Sequence, residues 1–146
     1  MKLYIASDHA GVKMKCEIVK YLEKKGIDYE DLGSFNPENH DDYPDYAFTL
    51  AKKVVKNKGK GVLICGTGTG MVIAANKVKG VRAALAYDDY SAKMAKHDND
   101  VNILCLRGRK FSLSKAKKIL NKWLNTKFSG LSRHKRRIDK IKKYEK

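Results

Sequence analysis

Long hydrophobic runs are missing from this 146-residue chain; nothing approaches the roughly 18 consecutive apolar residues that a membrane span needs. The opening stretch, Met1-Lys2-Leu3-Tyr4-Ile5-Ala6-Ser7-Asp8, is apolar over too few residues for a signal peptide and turns acidic at once. Cysteine is scarce, with Cys16, Cys65 and Cys105 widely spaced and no Cys-x-x-Cys pair. An odd, scattered set excludes a disulfide framework and a cysteine zinc site and points to a reducing compartment, so a cytoplasmic protein is expected. Cys16 and Cys105 read as inert buried cysteines. The four histidines are equally dispersed, no ligand group stands at metal-binding spacing, and neither a metal nor a cofactor is expected.

Acidic residues are also few, 16 against 32 Lys+Arg, for a formal net charge of +16. The excess is local: residues 1–109 carry a net +4 and residues 110–146 a net +12. Such a tail could serve nucleic acid, a small phosphorylated substrate or solubility. The tail lacks the interleaved aromatics on which bases stack. Lys115, Lys117, Lys118 and Lys122 fall on the polar side of an amphipathic stretch. A nucleic-acid module therefore remains a distant alternative, and neither nucleic acid nor a membrane is expected as partner.

What is present is alternation. Short apolar segments at Lys2–Ser7, Ile27–Leu32, Gly61–Cys65, Val81–Ala86 and Val101–Leu106 read as strands. Between and after them, Val12–Lys25, Tyr46–Lys56, Met71–Lys77, Tyr90–Lys96, Ser114–Leu124 and Leu131–Tyr144 read as helices. Gly26 after Lys24-Lys25 is a helix stop, with cations in the last turn before a residue free to take positive φ. Strands alternating with helices imply right-handed crossovers and a parallel sheet covered on both faces. The expectation is one α/β domain over residues 1–146, a three-layer α/β/α Rossmann-like fold with a five-stranded parallel sheet and a basic C-terminal helix at 131–146.

In such sheets ligands bind beyond the carboxyl ends of the strands, which selects Ser7–Gly11, Cys65–Gly70 and Tyr87–Asp89. Gly66-Thr67-Gly68-Thr69-Gly70 is a strand-to-helix turn whose glycines let backbone N–H groups converge on an anion, with the positive end of the next helix behind them. It is neither a Walker loop nor GxGxxG, and a tight connection without a ligand is the plain alternative. Cys65 closes the preceding strand, where converging amides would favour a thiolate usable as base or nucleophile. Asp8 and His9 end the first strand; His9 could meet an anion or hydroxyl, and Asp8 could accept from hydroxyls or simply cap the next helix. Arg133 and Arg137, four apart, share a helix face and could fork around a phosphate, or form a solvated basic face. Arg109 comes after the fifth strand. His97-Asp98-Asn99-Asp100 precedes that strand, as a place for a proton-transfer group or as an ordinary turn.

These segments carry a resemblance. Ser7–Gly11, Asp42–Ala47, Cys65–Gly70, Ile73–Lys77 and Asn99–Leu104 occur in the order found in type B ribose-5-phosphate isomerases, which are grouped with galactose- and allose-6-phosphate isomerases. The resemblance runs from Lys2 to about Tyr144. It implies a metal-free aldose–ketose isomerase interconverting ribose 5-phosphate and ribulose 5-phosphate through a cis-enediolate, with a hexose 6-phosphate as the alternative substrate. The family's base is a cysteine at the position of Cys65 or a glutamate six residues on; Met71 stands there, so Cys65 is the implied base. Gly66, Gly68, Thr69 and Gly70, with Thr67, would stabilise the enediolate oxygen. By the same resemblance His9, Arg109, Arg133 and Arg137 hold the phosphate, while Asp8, Tyr43 and Asn99 orient hydroxyls. It also implies a homodimer, or a dimer of dimers, whose sites combine two subunits. One departure stands out: the family has a ring-opening histidine where this chain has Asp98, and His97 lies one residue earlier. The expectation favours Asp98 in that role, which requires a raised carboxyl pKa.

Overall fold

A computed structural model describes residues 1–145. Five strands, β1 (Leu3–Ser7), β2 (Tyr29–Asp31), β3 (Lys60–Cys65), β4 (Ala83–Leu85) and β5 (Ile103–Arg107), form one sheet in the order β2-β1-β3-β5-β4. Every pairing is parallel. The central strands β1, β3 and β5 are almost wholly buried, as their unbroken apolar sequences require. The edge strands β2 and β4 are three residues each and half-buried, shorter than their apolar segments suggested.

Helices cover both faces. Helices α1 (Val12–Lys24), α4 (Asp89–Asn99) and α5 (Leu113–Asn125) enclose one core, with Ile18, Leu22, Ala92, Ile119, Leu120 and Trp123 packed on Ile5, Ile64 and Leu104. Helices α2 (Tyr43–Asn57) and α3 (Thr69–Ala75) enclose the other, with Leu50, Ala51, Val54, Met71 and Ala75 on Tyr4, Leu63 and Cys105. Alternate residues of each strand feed opposite cores, the two-residue period of a strand. Helix α6 (Ser132–Tyr144) lies outside the sandwich against α4, burying His134 and Ile138 one turn apart.

The structure corrects three sequence expectations. The buried stripe of α1 runs through Val12, Met14, Lys15, Ile18 and Leu22, which leaves Cys16 exposed and not buried. Lys15 takes the core position because its stem packs as hydrocarbon and its Nζ reaches Asp31 at 2.5 Å. Helix α2 starts three residues earlier than expected because Pro44 sits in its first turn, where a missing N–H costs nothing. Helix α4 continues to Asn99 before Asp100 turns left-handed at φ 46°, so His97, Asp98 and Asn99 are helical and not a turn.

Candidate active site

Strand order reverses direction between β1 and β3, and the loops leaving their carboxyl ends meet there. The Asp8 N–H donates to the Ile64 carbonyl at 3.2 Å, Gly108 N–H to the Cys65 carbonyl at 2.7 Å and Arg109 N–H to the Gly66 carbonyl at 3.2 Å. The exits of three strands are thereby tied into one floor. Cys65 is buried at its centre, and the Gly68 N–H donates to its Sγ at 3.1 Å. Gly68 holds φ at +84°, a conformation that any β-carbon would strain and that aims this amide back at the sulfur. Gly70 carries the ring of Tyr43: a β-carbon there would lie 2.7 Å from Tyr43 Cζ.

The amides of the turn are not equally available. Gly68 N–H is spent on the sulfur and Thr69 N–H on Thr67 Oγ1 at 3.3 Å. Helix α3 has no side-chain cap, so the N–H groups of Gly70 and Met71 have no acceptor within it. The helix is only seven residues long, two turns of aligned dipoles, so the cradle rests on individual amides more than on the helix end.

On the opposite wall His9 is held by a residue that no sequence motif marks. Asp41 Oδ1 accepts from the His9 backbone N–H at 2.8 Å and bonds its Nδ1 at 2.9 Å, which leaves Nε2 as the ring's other nitrogen. Tyr46 Oη donates to Asp41 Oδ2 at 2.9 Å. Burial alone would raise the Asp41 carboxyl; the bonds from His9, Ser34 and Tyr46 outweigh it and hold it at about 2. Asp8 behaves oppositely. Its burial pushes the carboxyl upward, although one oxygen accepts from Gly11 N–H at 3.1 Å and caps the short turn His9–Gly11. The signal for Asp41 is the long irregular segment between Gly33 and Pro44, a length that compact domains keep for functional loops.

The structure brings Asp8, His9, Tyr43, Cys65, the 66–70 turn and Arg109 to the carboxyl end of the sheet. It does not bring His97, Asp98, Asn99, Arg133 or Arg137 there. Helix α4 runs back to the amino end, where Arg82 Nε donates to the Asn99 carbonyl at 2.9 Å and Gly61 N–H to the Asn102 carbonyl at 2.9 Å. A second cluster forms at that end. His97 Nδ1 lies 2.7 Å from Asp98 Oδ1, and His134 Nε2 lies 3.7 Å from the same oxygen. His134, only 5% exposed at its side chain, is fixed by Ser129 Oγ at 2.6 Å from Nδ1, and Ser129 N–H donates to the His97 carbonyl at 3.0 Å. Arg133 and Arg137 are exposed on the same helix, outside the buried His134–Ile138 face. The spacing of these arginines is visible in the sequence; the role of the histidine between them is not.

Asp98 does not meet the expectation of a raised carboxyl. The hydrogen bond from His97, then the electrostatic influence of His134, His97 and Arg133, hold it below its ordinary value. Residues without metal-binding spacing along the chain do meet in space: His97, Asp98 and His134 form one group of possible ligands, and Asp8, His9 and Asp41 another.

No helix among the described residues is long and apolar enough to cross a membrane. The family profile described as Ribose/Galactose Isomerase matches residues 3–141. Ribose-5-phosphate isomerase B of Escherichia coli is 39% identical over 141 residues, covering 96% of this chain and 93% of that protein. Among solved structures, ribose-5-phosphate isomerase B of Clostridium thermocellum superposes with a TM-score of 0.95 at 42% identity, covering 99% of this chain and 97% of the other. The Mycoplasma genitalium ribose-5-phosphate isomerase B, solved with bound ribulose-5-phosphate, gives 0.94 at 46% identity, with 99% and 95% covered. With the whole α/β/α core and both loops of the switch point inside these matches, the chain belongs to the ribose/galactose isomerase family.

Proposed function

We propose that this protein interconverts ribose 5-phosphate and ribulose 5-phosphate as an aldose–ketose isomerase, with Cys65 as the base. The observation that carries the reading is the buried Cys65 sulfur facing the glycine turn at the sheet's switch point, in a chain so similar to a protein solved with ribulose-5-phosphate. The Cys65 thiolate takes the proton from C2 of the open-chain aldose and returns it to C1, while the proton on O2 passes to O1. The negative charge passes to oxygen in the cis-enediolate, where the amides of Gly70 and Met71 and the Thr67 hydroxyl stabilise it. His9, set by Asp41, reaches the substrate through Nε2, and Asp8 and Tyr43 orient hydroxyls. Arg109 lies beside Gly66, its backbone N–H donating to the Gly66 carbonyl at 3.2 Å. The relatives do not favour the hexose-6-phosphate alternative.

The remaining groups come from a second copy. Arg133 and Arg137 supply the phosphate clamp and Asn99 a hydroxyl contact from the partner's amino end. His97 exchanges the ring-opening proton there while the ionised Asp98 orients it. A homodimer accounts for the apolar side chains exposed around the cleft, among them Tyr43, Ile73, Tyr87 and Tyr90. Within this reading the reaction needs no metal, because amides and a thiolate perform every step.

The test is an assay with ribose 5-phosphate, allose 6-phosphate and galactose 6-phosphate, with and without a chelator. Turnover of the pentose phosphate that the chelator leaves unchanged is expected; preference for a hexose phosphate overturns the substrate. Subunit sharing is read by mixing inactive Cys65→Ala chains with inactive Arg133→Ala/Arg137→Ala chains. Random exchange should restore about a quarter of native activity, since half the dimers are mixed and each has one intact site. No recovery after proven exchange overturns the shared site.

A further inference from the structure

The geometry points to a zinc-class metal site at His97, Asp98 and His134, formed at the amino end of the sheet away from Cys65. One ligand atom from each residue lies within 4.8 Å of the other two. A tetrahedral ion with 2.0–2.2 Å bonds needs about 3.4 Å between ligand atoms. The 2.7 Å from His97 to Asp98 and the 3.7 Å from His134 to Asp98 straddle that value.

Two features distinguish this cluster from an accidental meeting of polar groups. His134 Nε2 faces Asp98 at 3.7 Å, beyond hydrogen-bonding distance, so this buried imidazole has a nitrogen aimed at a carboxylate it does not reach. Its other nitrogen is engaged by Ser129 Oγ at 2.6 Å, the outer-shell contact that fixes the ring of a metal-bound histidine. The same serine ties its backbone to the end of α4 through the His97 carbonyl, so one residue holds the two ligand-bearing helices together. The Asp8–His9–Asp41 group lacks this openness, because Asp41 is already saturated by His9, Ser34 and Tyr46.

Two imidazoles and one carboxylate suit zinc, cobalt or nickel better than magnesium or calcium, which prefer all-oxygen sites. His97 lines a basin of about 440 Å³ that also contains Lys93, Lys122 and Lys127, so this ligand is reached from solvent. With those lysines and Arg133 nearby, the fitting fourth ligand is an anion such as hydroxide or a phosphate oxygen. The site stands independently of the isomerase assignment; only its inhibitory effect, through capture of His97 and Asp98, rests on that reading.

The experiment is titration of the metal-stripped full chain with Co²⁺, then displacement with Zn²⁺. A visible d–d absorption saturating at one ion per chain, and erased by Zn²⁺, is expected. His97→Gln and Asp98→Asn, both at partly exposed positions, should each weaken binding at least about tenfold, whereas His9→Gln should leave the spectrum unchanged. Zn²⁺ should inhibit isomerisation and a chelator should restore it. Absence of the absorption up to about 1 mM ion, its survival in both cluster variants, or its loss in His9→Gln overturns the proposal. Because the absorption is read without substrate, a chain that binds Co²⁺ and isomerises nothing refutes the enzyme assignment while leaving the metal site in place.

Discussion

Replacing Asp41 with Asn keeps the side chain's shape and removes the charge that organises the His9 wall. Asp41 is only 10% exposed and is held at about 2 against an ordinary 3.8. At about 1.4 kcal/mol per pH unit, the folded chain favours the ionised form by about 2.5 kcal/mol. A depressed carboxyl contributes its full stability above the unfolded pKa, near 4, and loses it as pH falls through the folded value near 2. Asp41→Asn should therefore cost about 2 kcal/mol at pH 7, a fall in Tm of roughly 4–8 °C for a domain of this size. Urea unfolding of both proteins at pH 7, 5, 4, 3 and 2 measures it. The gap should be constant down to about pH 4 and shrink towards pH 2, and at pH 7 the variant's KM should rise as His9 loses its fixed orientation. A gap that does not change with pH, or no gap at pH 7, refutes the claim that the carboxylate charge holds this wall.

Cys65→Ala should abolish isomerisation and leave the melting curve close to native, whereas Cys16→Ala and Cys105→Ala should retain turnover; substantial activity in the first variant removes Cys65 as base. Burial pushes the Cys105 thiol pKa upward, so alkylation of the folded protein should label the exposed Cys16 and spare Cys105, as peptide mapping can check. Arg137→Ala should remove a charge-assisted contact of roughly 1.5–3 kcal/mol, seen as a loss of kcat/KM for the phosphorylated sugar and none for the free pentose; equal losses make the arginine structural. Lys15→Met should destabilise by about 3 kcal/mol in thermal unfolding, because Asp31 is left partly buried without its cation. Recovery in Lys15→Met/Asp31→Asn is expected, and a single-variant cost below about 1 kcal/mol would show the pair to be dispensable.

The sheet is legible in the sequence because its central strands carry apolar runs such as Val62-Leu63-Ile64, which allow one interpretation in a βα alternation. The glycine turn and Cys65 are legible because the topology of parallel sheets directs attention to strand exits. Lys15 is not: a lysine inside a helical stripe reads as polar until its partner Asp31, sixteen residues away, is placed beside it. Asp41 and His134 escape notice for the same reason, since each acquires its role from side chains that only the fold assembles. His97 to Asn99 lie at the amino end of the sheet, as a segment that precedes β5 must; what motif order along the chain does not record is that α6 brings His134 beside them.

The separation of the two polar ends also sets a concentration scale. Strand β3 spans Lys60 to Cys65, roughly 17 Å of extended chain, while a pentose phosphate is only a few bonds long. On the proposed shared site, one sugar touches Cys65 of one copy and Arg137 of another. Activity per milligram should consequently fall on dilution, with a lag in assays started from very dilute stock. It should hold steady only above the dissociation constant of the assembly. On that proposal, the chemistry exists only while the contact between copies holds.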